Sequence, residues 1–193
     1  ACHIAMDLLK EPSGKQDEYI SAFGGINSFS AAQNGAIKVE SLYPQVFSPE
    51  TVKELENNLL MFYTGIKRES REALKNQAAS IENLHQIKEI GQEIKATLAN
   101  CDFSRFGELL DLHWQRKKER MGTTNPQINH WYEIAKEAGA MGGKLLGAGG
   151  GGFFVFYCEG NKDRVRRAMA DQGLKETPFR FDFEGVKVIA NFV

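Results

Sequence analysis

Cysteine is scarce in this chain of 193 residues: Cys2, Cys101 and Cys158 lie far apart. An odd number with no C-x-x-C pair reads neither as a disulfide framework nor as a zinc site. It suits a reducing cytoplasm. The four histidines, His3, His85, His113 and His130, show no metal-ligand spacing, so no protein metal site is expected. An excess of either charge is also missing. The formal net charge is -1 at pH 7, which leaves no electrostatic footprint for nucleic acid or an acidic membrane surface. The longest apolar run, Phe153 to Cys158, is far too short to cross a bilayer. The opening Ala1-Cys2-His3-Ile4-Ala5-Met6 has no initiator Met, no cap and no signal-peptide pattern. Ile4, Leu8 and Leu9 already repeat at helical spacing, so the chain is expected to begin inside a helix, with an N-terminal portion missing.

What is present is ordinary for a globular protein: 42% apolar and 25% charged residues. The length suffices for one good core, or one domain plus part of another. The local patterns predict a helix end over residues 1–10, a breaker at Glu11-Pro12-Ser13-Gly14, and a short helix from Lys15 to Phe23 stopped by Gly24-Gly25. Ile26–Ser30 and Ala36–Leu42 read as a hairpin around Asn34-Gly35. Pro44 and Pro49 mark a boundary. Leu59–Tyr63 reads as a buried strand. Leu74, Ala78, Ile81, Leu84, Ile87, Ile90, Ile94 and Leu98 form one helical stripe, and Phe106, Leu109, Leu110 and His113 begin another. Asn125-Pro126 opens a further helix that Gly139 ends. A glycine-rich loop then runs from that helical region into a strand, Phe153–Cys158. A helix from Asn161 to Gln172 follows. Phe179, Phe181 and Phe183 alternate like a half-buried strand, and Glu184-Gly185 turns into another at Val186–Ala190. The order implies an α+β sandwich with helices on one face of a mostly antiparallel sheet.

Three segments carry candidate chemistry. In Gly14-Lys15-Gln16-Asp17-Glu18-Tyr19, Asp17 falls in the first turn of a short helix, where the dipole favours a carboxylate. An ionised carboxylate there can orient a bound hydroxyl and accept its proton during phosphoryl transfer. Equally, first-turn acids often only cap. Gly142-Gly143-Lys144-Leu145-Leu146-Gly147-Ala148-Gly149-Gly150-Gly151-Gly152 matches G-x-G-x-x-G formally but in the wrong context for a dinucleotide fold, and Leu145 after Lys144 rules out a Walker A loop. Such glycine density lets backbone approach something closely, a phosphate or a packing corner. Tyr63-Thr64-Gly65-Ile66-Lys67-Arg68 ends a buried strand and reads as a ligand loop or a solvated basic turn. Arg116-Lys117-Lys118-Glu119-Arg120 and Arg164-Val165-Arg166-Arg167 read as solvated helix faces.

Together these segments resemble the GHMP kinases. Lys144–Gly152 resembles that family's third motif, and Pro12–Asp17 is similar to the segment with its catalytic aspartate. Ala22-Phe23-Gly24-Gly25-Ile26-Asn27 and Tyr63-Thr64-Gly65-Ile66 place the likeness nearest the heptose 7-phosphate kinase and fucokinase branch, which phosphorylates an anomeric hydroxyl with ATP and magnesium. The resemblance implies a ferredoxin-like C-terminal domain over 51–193 and the end of an N-terminal domain over 1–50. It implies Asp17 as the catalytic residue, and Lys15, Gln16, Tyr19, Lys67 and Arg68 as substrate-binding. Lys144, Gly147, Ala148, Gly149, Gly150, Gly151 and Gly152 would bind nucleotide. The family's glycine- and serine-rich ATP loop, with its magnesium-binding serine, is absent from these residues. The partners implied are ATP, a sugar or sugar phosphate such as heptose 7-phosphate, and a missing N-terminal portion. A catalytically empty sugar-phosphate module and an interaction domain remain the competing classes.

Overall fold

The computed structural model describes residues 1–10, 14–66, 81–121, 125–147, 151–187 and 189–190. Its contacts divide the chain into two compact units, Ala1–Val52 with Arg180–Val193, and Lys53–Phe179.

The first unit starts with a short helical segment, His3–Leu8, wound wider than an α-helix: the Leu9 N–H reaches the Ile4 carbonyl at 2.9 Å. Helix α1, Gln16–Phe23, stops at Gly24, whose positive φ of 66° an L side chain rarely adopts. Strands β1 (Asn27–Ala31) and β2 (Ile37–Ser41) form the expected antiparallel hairpin, with Phe29 opposite Val39. Its turn is fixed by Gly35 at φ 81° and by the Ala36 N–H donating to Asn34 Oδ1 at 3.0 Å.

The end of the chain returns to this unit. The alternation at 179–183 predicts a strand, but the structure holds no ladder there. Instead the Gly25 N–H donates to the Asp182 carbonyl at 2.5 Å and the Val186 N–H to the Ala22 carbonyl at 3.2 Å. The Tyr43 and Phe183 rings meet at 4.4 Å. Phe183 therefore packs on Tyr43 and beside Gly25 rather than in a strand ladder. The strand expected over Val186–Ala190 is likewise not formed among its described residues. A Cβ on Gly24 would sit 2.6 Å from the Gly185 nitrogen, so this glycine also admits the returning backbone.

Helix α2, Pro49–Asn58, carries the chain from the first unit into the second. Ser48 caps it, its hydroxyl accepting the Thr51 N–H at 3.2 Å. The second unit comprises β3 (Leu59–Tyr63), α3 (Ile81–Ala99), α4 (Phe103–Met121), α5 (Pro126–Glu137), β4 (Gly142–Leu145), β5 (Phe153–Tyr157), α6 (Lys162–Asp171) and β6 (Lys175–Glu176). The sheet order is β4-β5-β3-β6, antiparallel throughout. The last strand thus lies beside the first, the ferredoxin-like arrangement of an α+β fold.

Period-two alternation puts Leu60 and Phe62 of β3, with Phe154 and Phe156 of β5, on one face. They pack against Trp114, Ile128, Tyr132, Val165 and Met169 from the helices. Each such buried side chain contributes about 1.5–3 kcal/mol of transfer free energy. The α3 stripe is only partly used. Ile90 and Leu98 are buried, whereas Ile81 and Leu84 are exposed, and Leu74 and Ala78 lie outside the described residues. Helix α5 begins where expected, with the Asn125 side chain accepting the Gln127 N–H at 2.9 Å. Among the described residues no helix is long and apolar enough to cross a membrane.

Candidate functional site

The glycine-rich segment has a different setting from the one its sequence suggests. The reading takes the loop straight from a helix into a strand. In the structure Gly142–Leu145 is itself a strand, paired with β5 from Gly142↔Tyr157 to Leu145↔Phe154. The loop is therefore the closure of the β4–β5 hairpin. The Leu146 N–H donates to the Phe153 carbonyl at 2.8 Å and forms its neck.

Close approach explains the strand's two glycines. A Cβ on Gly142 would meet the Gly107 carbonyl oxygen of α4 at 2.0 Å, and one on Gly143 the Val155 carbonyl at 2.5 Å. These two are packing glycines. Gly147 and Gly152 differ: their φ angles are 69° and 98°, and no described residue crowds either Cβ position. They shape the two ends of the loop. Ala148, Gly149 and Gly150 lie outside the described residues.

The end of β3 is stitched to the same loop. The Thr64 backbone N–H and hydroxyl both donate to the Gly152 carbonyl at 2.8 Å. The Ile66 N–H donates to Thr64 Oγ1 at 3.3 Å, and the Gly152 N–H to the Ile66 carbonyl at 3.0 Å. A Cβ on Gly151 would press on that Ile66 oxygen at 2.3 Å. The strand-end and glycine segments, far apart in sequence, thus form one structure. Lys67 and Arg68, which follow it, lie outside the described residues.

The other side of the loop rests on α4, and here the sequence misleads. The run Arg116–Arg120 reads as a solvated face, but Lys117 is only 6% exposed. Its Nζ donates to the Gly147 carbonyl at 2.7 Å and the Leu145 carbonyl at 3.4 Å. At 100° per residue, consecutive charges cannot all face water. Lys117 falls on the buried stripe of Leu110 and Trp114.

A polar network fixes the start of β4. The Tyr132 hydroxyl donates to Asp111 Oδ1 at 2.6 Å and lies 3.3 Å from the Gly143 carbonyl. Lys136 Nζ donates to the Met141 carbonyl at 2.5 Å and lies 3.6 Å from Asp111 Oδ1. Burial, then the Asp111 carboxylate, push the Tyr132 hydroxyl far above its ordinary pKa. Lys144 sits on β4 on the face opposite Leu145, half-buried, where desolvation lowers its pKa.

In the first unit, Asp17 stands in the first turn of α1 with its side chain exposed. Lys15 and Gln16 beside it are exposed too. Tyr19 is half-buried, stacked on Phe23 at 6.0 Å and edge-on to Phe29 at 5.9 Å, so its ring also builds this unit. Glu18 has a buried carboxylate oxygen with no hydrogen-bond partner among the described residues. Pro12 and Ser13 lie outside them. No cluster of three or more His, Cys, Asp or Glu that could hold a metal occurs among the described residues.

Residues 70–175 match the protein family described as GHMP kinases C terminal. A D-glycero-alpha-D-manno-heptose 7-phosphate kinase of Campylobacter jejuni is 30% identical over 196 residues, 97% of this chain and 57% of that protein. A bifunctional fucokinase/GDP-fucose pyrophosphorylase of Arabidopsis thaliana is 25% identical over 182 residues, 90% of this chain and 17% of its own length. A solved D-glycero-D-manno-heptose 1-phosphate kinase from Bacteroides thetaiotaomicron superposes with a TM-score of 0.70 at 27% identity, over 98% of this chain and 54% of that one. The chain thus spans little more than half the length of its two heptose kinase relatives.

Proposed function

The chain belongs to the GHMP kinases, and from that membership we propose that it is the later part of an ATP-dependent sugar 1-kinase. The observation that carries this reading is the glycine loop, with its neck anchored by Leu146, Thr64 and Lys117. A rigid base with left-handed residues at Gly147 and Gly152 suits a loop that offers backbone N–H groups to a polyphosphate. Gly147, Gly151 and Gly152, with Ala148, Gly149 and Gly150, are its nucleotide contacts. Lys144 adds charge nearby. Asp17 orients the anomeric hydroxyl and takes its proton as the phosphoryl group transfers.

Heptose 7-phosphate is the proposed acceptor. A sugar phosphate needs cations at its far end, where charge-assisted contacts are strong. Lys15, Lys67 and Arg68 supply them in this reading, with Gln16 and Tyr19 on the sugar. The Campylobacter jejuni relative, named for heptose 7-phosphate, favours the choice; the fucokinase relative makes fucose its chief competitor. Bound with ATP, magnesium would neutralise phosphate charge. The described residues offer it no ligand cluster, so the chain's own part is to bind and orient. The family's ATP loop is absent from these 193 residues. Turnover therefore requires the additional length its relatives have. The scarce, unpaired cysteines fit a cytoplasmic setting.

The test is coupled ADP release by the full-length protein with heptose 7-phosphate, fucose, galactose and mevalonate in parallel. The phosphorylated heptose should give the highest kcat/KM, and the 193-residue chain alone should give no turnover. Higher kcat/KM for an unphosphorylated sugar would reject the phosphate pocket. In the same assay Asp17→Asn should lower kcat by roughly 10²–10⁴ with little change in ATP affinity. Nearly full kcat would leave Asp17 as a first-turn residue only.

A further inference from the structure

Asn34-Gly35 is the one Asn-Gly pair in the chain, and the kinase chemistry makes no use of it. Asparagine followed by glycine is chemically labile. The backbone nitrogen of the second residue can attack the side-chain amide carbon of the first, and glycine has no Cβ to obstruct the approach. Both residues are exposed, and no described residue lies within 4 Å of where a Cβ on Gly35 would stand. The Asn34 side chain folds over the turn, its Oδ1 accepting the Ala36 N–H at 3.0 Å.

The same turn restrains the reaction. The Gly35 N–H, on the attacking nitrogen, donates to the Ala32 carbonyl at 2.9 Å, and the Ala32 N–H donates to the Ala36 carbonyl at 2.9 Å. Attack needs the Gly35 N–H free to lose its proton and the Asn34 side chain released from Ala36. Both happen when the tip of the hairpin opens. These bonds close a sheet of only two strands, an element that is marginal on its own hydrogen bonds. Such tips open without unfolding of the rest of the molecule.

We propose that Asn34 is a site of spontaneous deamidation whose rate is set by opening of the hairpin turn. The Gly35 nitrogen, its proton lost to solvent base, bonds to Asn34 Cγ. The Cγ–Nδ2 bond breaks, and Nδ2 takes up a proton from water and leaves as ammonia. One water then opens the cyclic imide, and nothing is oxidised or reduced. Opening at Cγ leaves aspartate, which keeps an oxygen for the Ala36 N–H. Opening at the backbone carbonyl leaves isoaspartate, whose main chain is longer by a methylene and does not close the same turn. Strand β1 holds Phe29 edge-on to Tyr19 of α1 at 5.9 Å, so isoaspartate loosens the hairpin beside the helix that carries Asp17. This chemistry is independent of the kinase reading.

The test ages the full-length protein at mildly alkaline pH, natively and in guanidinium chloride. Residue 34 is followed by mass spectrometry of the tryptic peptide Gln16–Lys38 and by isoaspartyl methyltransferase labelling. Aspartate and isoaspartate should accumulate at residue 34 in the native protein, about tenfold slower than in denaturant, the ratio for a local opening free energy of about 1.4 kcal/mol. Asn34→Ala should remove the methyltransferase labelling of this segment. Native protein that keeps asparagine at residue 34 overturns the proposal. Equal rates with and without denaturant reject control by the turn, and labelling that persists in Asn34→Ala rejects Asn34 as its source.

Discussion

At the residue scale, the glycine segment contains two kinds of glycine that look alike in sequence. Gly142 is closed to any Cβ by backbone atoms, the Gly107 oxygen at 2.0 Å and the Asp111 nitrogen at 2.7 Å, which have no rotamer to move away. Gly147 has open space among the described residues and a φ of 69°. Gly142→Ala forces α4 and β4 apart and should destabilise by about 1–3 kcal/mol or more. Gly147→Ala should cost about 1–2 kcal/mol through the left-handed conformation alone. Asparagine separates the two mechanisms because it tolerates positive φ but not a clash. Urea denaturation should show Gly147→Asn recovering most of the alanine penalty and Gly142→Asn worse than its alanine counterpart. Equal behaviour at both sites would refute the distinction. The motif was legible as glycine-rich, but which glycine packs and which turns depends on a helix many residues away. Lys117 gives the same lesson. Its charge run suggests water, and only its place on the stripe of Leu110 and Trp114 hints otherwise.

At the element scale, β3 appears over the predicted residues because five consecutive apolar positions admit little else. Strand β4 was not legible. Four residues, two of them glycine, have weak strand propensity, and only pairing with β5 makes them a strand. Helix α2 escaped for the opposite reason: its sequence is largely polar, burying little beyond Val52 and Leu55, although Ser48-Pro49-Glu50 carries a start signal. What joins β3 to the glycine loop was also invisible, because it runs through Thr64. The buried Thr64 hydroxyl both donates to Gly152 and accepts from Ile66. Thr64→Val keeps the shape and the Thr64 N–H bond but strands the Ile66 N–H. It should cost about 1–3 kcal/mol, the penalty for an unsatisfied buried group. Hydrogen exchange should show the Ile66 amide exchanging faster than in wild type while the β5 amides at its centre change less. Uniform acceleration across the sheet would mean that Thr64 supports the whole unit rather than this junction.

At the scale of the whole molecule, the α+β class was readable from the order of elements, whereas the return of the chain's end to the first unit was not. Phe179, Phe181 and Phe183 carry a strand's alternation, yet residues 179–183 are not strand in the structure. The second unit also buries several acids that the sequence alone leaves at ordinary values. Burial pushes the Cys158 thiol up to about 12 from 9.0. Burial likewise raises Tyr157 and Tyr132 above 10.0. The sign of the effect on stability follows from proton counting. Above the ordinary pKa the unfolded chain releases these protons and the folded chain retains them, so the stability they lend is fully present below pH 9 and falls as pH rises. Each retained proton lowers the unfolding free energy by about 1.4 kcal/mol per pH unit within its window. Lys144 works in the opposite direction, since its depressed pKa lets stability rise with pH up to 10.5 and adds no slope beyond it. Melts followed by circular dichroism should therefore show a loss of Tm that steepens above pH 10.5, where Lys144 no longer opposes the three retained protons. Cys158→Ala lowers Tm at pH 7 by leaving a cavity, but it should flatten the decline between pH 9 and 12, because one of the retained protons is gone. A Cys158→Ala profile parallel to wild type across that range would mean that the thiol does not control alkaline unfolding.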